Sequence, residues 1–115
     1  MSYMLLIVEP PGQRHERGLE AGQAVYDRML EYSRSLRERG VLIAVNSLKS
    51  GGARLTIRGG KSQVVDGPFT EAKELVGGFF LLDVKTRDEA LALAGECPAA
   101  EWATVEVRET GPCYE

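Results

Sequence analysis

Two cysteines, one histidine and no long apolar run stand out in this 115-residue sequence, and each scarcity removes a class of function. The spacing of Cys97 and Cys113 fits neither a metal knuckle nor a disulfide framework. Cys97 reads as a small buried residue and Cys113 as part of a loose tail. His15 is the sole imidazole, so any histidine base or metal ligand must be this one. Neither a second histidine, a cysteine pair nor a carboxylate at ligand spacing accompanies it, and no metal or cofactor is expected. The longest apolar run, residues 4–8, is far too short to span a bilayer. The basic start, long apolar stretch and small-residue cleavage site of a signal peptide are missing as well. The expectation is a cytoplasmic chain with no membrane partner. Nor is there a basic stripe: the net charge is −3 with both signs scattered, which argues against a nucleic-acid partner.

What is present is ordinary globular composition, 43% hydrophobic and 27% charged, in a length that fits one domain. That domain is read as residues 1–115, with a loose tail from about residue 109. Residues 3–9 form a compact apolar run, a strand buried on both faces, stopped by Pro10, Pro11 and Gly12. A polar loop, residues 13–18, follows. Val25, Met29, Tyr32 and Leu36 then recur at helical spacing, with Asp27, Glu31, Arg34 and Glu38 facing outward and Gly40 closing the helix. Residues 41–45 are a short extended run. Residues 53–58 alternate, Gly59 and Gly60 signal a two-residue hairpin turn, and residues 61–66 return as the partner strand of a partly exposed edge.

Asp66-Gly67-Pro68-Phe69 breaks that strand, and residues 70–75 read as a helical turn capped by Thr70. After Gly77-Gly78, residues 79–84 are again apolar on both faces except for Asp83. Thr86 and Glu89 form a capping box opening a second helix, with Ala90, Leu93, Ala94 and Cys97 inward and Pro98 at its end. Residues 102–108 close the chain as an alternating strand with Ala103, Val105 and Val107 facing in. No internal repeat or linker interrupts the order. The fold class is therefore α+β, a ferredoxin-like, mostly antiparallel sheet with two helices on one face. In that arrangement the first and third main strands are central, and those are the two runs that are apolar on both sides.

Two helices cover one face only. The other face carries either Leu5 and Ile7 or Met4, Leu6 and Val8, together with alternate members of residues 79–82. So large an apolar surface is unusual on a monomer, and a homodimer packed sheet to sheet would remove it. The alternative is that the hairpin and residues 41–45 fold over the open face.

Residues 66–74 read DGPFTEAKE and lead into Gly77-Gly78-Phe79-Phe80. With the opening YMLLIVE and the closing VEVRE, the chain resembles the YCII-related, or DGPF-domain, family over nearly its whole length. The resemblance implies a dimeric α/β barrel, in which two ferredoxin-like subunits pair sheet to sheet. For function it implies less. Many such proteins have no assigned activity. Some are linked to isomerase-like or dehydrochlorinating chemistry on small aromatic-derived acids through a histidine and an aspartate, and others accompany alternative sigma factors. The histidine-bearing branch places its imidazole early in the first helix, a position that falls near Met29 here, so the pair does not carry over residue by residue.

Asp66, at a strand end before a Gly-Pro turn, suits either a general base at a cleft mouth or a carboxylate that shapes the turn. Glu71, Lys73 and Glu74 crowd one short segment, either as coupled acid/base groups or as a solvated turn. His15, between Arg14 and Glu16, is the last candidate, with a surface histidine as its default role. Tyr3, Tyr26 and Tyr32 are candidate pocket aromatics, although Tyr32 belongs to the core stripe. The paired glycines match no phosphate-cradling pattern and read as turns. Two functions follow: a dimeric binder of a small organic molecule, in catalytic form a cofactor-free isomerase or lyase, or a non-catalytic accessory module tied to an alternative sigma factor. The first requires a closed pocket with convergent polar groups, expected near Asp66; the second allows a filled interior.

Overall fold

A computed structural model describes residues 2–69 and 71–114. In chain order the elements are β1 (Tyr3–Glu9), α1 (Gln13–Arg17), α2 (Leu19–Glu38), β2 (Leu42–Ser47), β3 (Ala53–Arg58), β4 (Lys61–Asp66), β5 (Leu75–Leu82), α3 (Arg87–Gly95), a 3-10 turn at Pro98–Glu101 and β6 (Thr104–Glu109). The main sheet has the order β2-β5-β1-β6, with every neighbouring pair antiparallel. The two doubly apolar runs, β1 and β5, are its centre, as the ferredoxin-like reading requires.

Register decides which residues face the helices. Leu5 lies opposite Phe80 on one side and Val107 on the other, and Tyr3 lies opposite Leu82. These side chains point at α2 and α3, and Leu5 and Leu82 are fully buried. From α2 come Tyr32 and Leu36; from α3 and the turn after it come Ala90, Leu93, Ala94, Cys97 and Ala99. Burying such a set is the main driving force for the domain, at roughly 25 cal/mol per Å² of apolar surface. Tyr32 also stands edge-on to Phe80, with centroids 5.1 Å apart, and donates its hydroxyl to the Leu93 carbonyl at 2.6 Å. Burial raises the phenol's pKa, which keeps the donor protonated. The Thr86 cap forms as expected: its hydroxyl oxygen accepts from the Glu89 N–H at 3.1 Å.

The other face of the sheet holds Met4, Leu6 and Val8 with Phe79 and Leu81, all half-buried. The hairpin does not fold over them. β3 and β4 form a separate two-stranded sheet, joined through Gly59 and Gly60 at positive φ, and residues 42–47 extend the main sheet as an edge strand. Among the described residues, no helix is long and apolar enough to cross a membrane.

Four local expectations differ from the structure. Residues 13–17 form the short helix α1 instead of a loop, because Gln13 and Arg14 tie it to its surroundings (below). The segment before β5 is one turn, closed by the Ala72 N–H on the Phe69 carbonyl at 3.1 Å, and the strand starts already at Leu75. The cap expected of Thr70 lies outside the described residues. Gly77 and Gly78 are strand residues and not a turn. The tail is tied at its start, where the Thr110 N–H donates to the Ser2 carbonyl at 2.9 Å.

Candidate functional site

A groove of about 970 Å³ opens between α2 and the end of the sheet where β1 stops. It exists because α2 presents two stripes. Met29, Tyr32 and Leu36 pack down on the core, whereas Leu19, Gln23, Tyr26 and Leu30 stay exposed along the wall of the groove. The floor is apolar, from Ile7, Val45 and Phe80, and Trp102 stands at one side.

The polar end of the groove is organised by Glu9. Strand alternation aims Glu9 the same way as Tyr3, Leu5 and Ile7, so a carboxylate arrives at a core-facing position and is 8% exposed. Burying a carboxylate is costly unless it is paired and hydrogen-bonded. The partner is Arg14 of α1, whose Nε lies 2.8 Å from Glu9 Oε1. The same guanidinium donates from Nη1 to the Leu48 carbonyl at 2.6 Å and from Nη2 to the Gly77 carbonyl at 3.0 Å. One side chain thus joins α1, the end of β1, the end of β2 and β5. Gly77 makes room for it: a Cβ there would sit 2.7 Å from both Arg14 Nη2 and Glu9 Cδ. Gly78 serves a neighbouring contact, since its Cβ would meet the Asn46 carbonyl oxygen at 2.9 Å.

Around this pair the rim is cationic. Arg17, Arg34 and Arg37 border the groove with His15. Arg17 donates to Gln13 Oε1 at 3.1 Å and lies 5.6 Å from the Trp102 ring centroid, while Gln13 donates to the Trp102 carbonyl at 2.6 Å. Arg28 approaches the same ring at 5.4 Å and pairs with Glu101 through both carboxylate oxygens. Arg34 pairs with Glu31, and among the described residues Arg37 has no ion pair within 4.0 Å. The groove is thus lined by four arginines and one carboxylate, in a chain of net charge −3.

The sequence-derived candidates separate in space. His15 is exposed on the groove rim. Asp66 is exposed at the end of β4 and borders neither this groove nor the smaller recess beside β6. Its turn is held by backbone, with the Gly67 N–H donating to the Gly52 carbonyl at 2.7 Å. Glu71 lies 3.7 Å from Arg54, whose guanidinium also covers the Phe69 ring at 3.8 Å. Lys73 is exposed, and Glu74 borders the recess, about 420 Å³, with Glu101 and Trp102. The convergent polar groups expected near Asp66 therefore lie instead around Glu9 and Arg14. Of the three tyrosines, Tyr26 lines the groove, Tyr32 is core, and Tyr3 bonds Glu109 at 3.0 Å.

Glu9, Arg14 and Gly77 are absent from the sequence-based candidates, yet two signals point to them. Glu9 continues the inward phase of an apolar strand, so its charge requires a partner. A glycine pair within an apolar run marks a close backbone approach as readily as a turn.

An uncharacterized protein of Rhizobium meliloti (strain 1021) is 36% identical over 87 residues, covering 74% of this chain and 70% of the relative. The sequence model of the YCII-related domain matches residues 1–112, nearly end to end, and the chain belongs to the YCII-related family.

Proposed function

We propose that this chain binds a small organic anion, a carboxylate on an apolar body of aromatic size, in the groove between α2 and the sheet. The observation that carries the reading is the pairing of an apolar floor with a cationic rim around the Glu9–Arg14 pair. The groove's volume is at the upper end of the range of about 300–1,000 Å³ usual for small-molecule sites. Arg37 is the rim cation available to a ligand carboxylate, and Tyr26 and Trp102 offer flat apolar contact. Where turnover accompanies binding, the reading is cofactor-free isomerase or lyase chemistry, with Glu9 or His15 as the proton-transferring group. The alternative, a non-catalytic accessory module, does not call for a groove that sets polar groups around an apolar floor.

The binding form in this proposal is a homodimer, paired through Met4, Leu6, Val8, Phe79 and Leu81. Support comes from an apolar face that neither the hairpin nor β2 covers. A thermal-shift series of benzoates, phenols and lactones tests the reading. A ligand at a hundred times its dissociation constant adds about 2.7 kcal/mol of stability. Carboxylates should raise Tm for the native chain and not for Arg37→Ala. Equal shifts in both proteins, or none with any carboxylate, would sink it.

A further inference from the structure

The β3–β4 hairpin contributes nothing to the groove, and its surface is unlike that of a finished monomer. Register places Leu55 opposite Val64, with Ile57 on the same face. All three are exposed, at 62%, 58% and 60%. The reverse face carries Arg54, Arg58 and Lys61. A two-stranded hairpin is marginal in water without a layer behind it, and among the described residues no strand pairs with its outer edges.

The molecule as a whole has surplus surface. It exposes 8039 Å², whereas a compact monomer of this mass exposes about 6,200 Å². Its radius of gyration is 16.0 Å, with extents of 46 × 42 × 19 Å, against roughly 13 Å for a compact domain of this length. The surplus of roughly 1,800 Å² exceeds the ~800 Å² that one partner gives to a standard complex and matches an obligate one.

We propose that the β3–β4 hairpin is an arm that grips a second copy of this chain, its Leu55–Ile57–Val64 face packed on the partner's body. A two-fold axis makes the embrace reciprocal, so two arms are buried per dimer. The inference rests on the homodimer proposed above but assigns a surface separate from the open sheet face.

Sedimentation equilibrium on three proteins tests it: the native chain, the triple variant Leu55→Ser/Ile57→Ser/Val64→Ser, and the sheet-face variant Leu6→Lys. The native chain should be a dimer. The triple variant should dimerise on the order of a hundredfold more weakly, the scale of losing several apolar anchors. Amide exchange of residues 53–66 in the native chain gives a readout independent of whether the variant folds, and should slow as dimer forms. A triple variant that dimerises as tightly as the native chain, or arm amides that exchange alike in monomer and dimer, would overturn the arm and leave sheet pairing standing. Leu6→Lys dimerising normally while the triple variant dissociates would overturn sheet pairing and leave the arm. A native chain that stays monomeric at every concentration would overturn both.

Discussion

Removing the Arg14 side chain should test how the groove is held together. Arg14→Ala strands the carboxylate of Glu9, which is 8% exposed, and takes donors from the Leu48 and Gly77 carbonyls. Deleting one partner of a fully buried ion pair costs about 3–5 kcal/mol. The Arg14 side chain is 36% exposed, so water partly screens the pair and can reach the two carbonyls; the discounted cost is about 2 kcal/mol. For a domain of this size that lowers Tm by roughly 8 °C. Glu9→Gln removes charge but keeps shape and leaves an arginine that can turn to solvent, so about 1 kcal/mol is expected. The double variant should cost only about 1.5 kcal/mol, because the stranded charge that dominates Arg14→Ala is gone. Urea unfolding of the four proteins measures the cycle. Costs that add within about 0.3 kcal/mol would refute the claim that Glu9 and Arg14 act as a unit.

Gly77→Ala should displace the charged ends of Arg14 and Glu9, costing about 1–2 kcal/mol. Gly78→Ala pushes on the backbone of β2 and should cost about 2–3 kcal/mol; the reverse ranking in chemical denaturation would contradict the packing described. Tyr32→Phe removes a buried donor from the Leu93 carbonyl, which still accepts from the Glu96 N–H, so calorimetry should show a loss of about 1 kcal/mol. Glu96 is held below the usual carboxylate range by its hydrogen bonds to Arg39. The stability this contributes is present above the ordinary glutamate pKa and is lost as pH falls through the lower folded value. The Tm advantage of the native chain over Arg39→Gln should therefore be flat near neutrality and shrink in acid; an advantage that grows in acid would contradict the pairing.

The fold was legible because period and burial agree. Strand runs apolar on both sides had to be central, and the stripe of Met29, Tyr32 and Leu36 had to meet them. The site was less legible because it depends on residues remote in sequence. Residue type drew attention to Asp66, Glu71, Lys73 and Glu74, which are consecutive or nearly so, whereas Glu9, Arg14, Leu48 and Gly77 meet only after three strands and a helix assemble. His15 reaches the groove rim because Arg14 and Gln13, on the same short helix, fix that helix in place. The glycine pair at 77–78 shows the ambiguity most clearly. A turn and a crowded strand both favour glycine, and only the neighbours tell them apart.

Trp102 is the only tryptophan and lines the groove, so its fluorescence reports on the proposed site directly. The most direct measurement is a fluorescence titration of the native chain and of Arg37→Ala with a series of aromatic carboxylates. The account predicts a saturable change for the native chain that is lost in Arg37→Ala and absent for the matching neutral amides. An unchanged signal across the series, or equal responses to acid and amide, would contradict the claim that this groove binds organic anions.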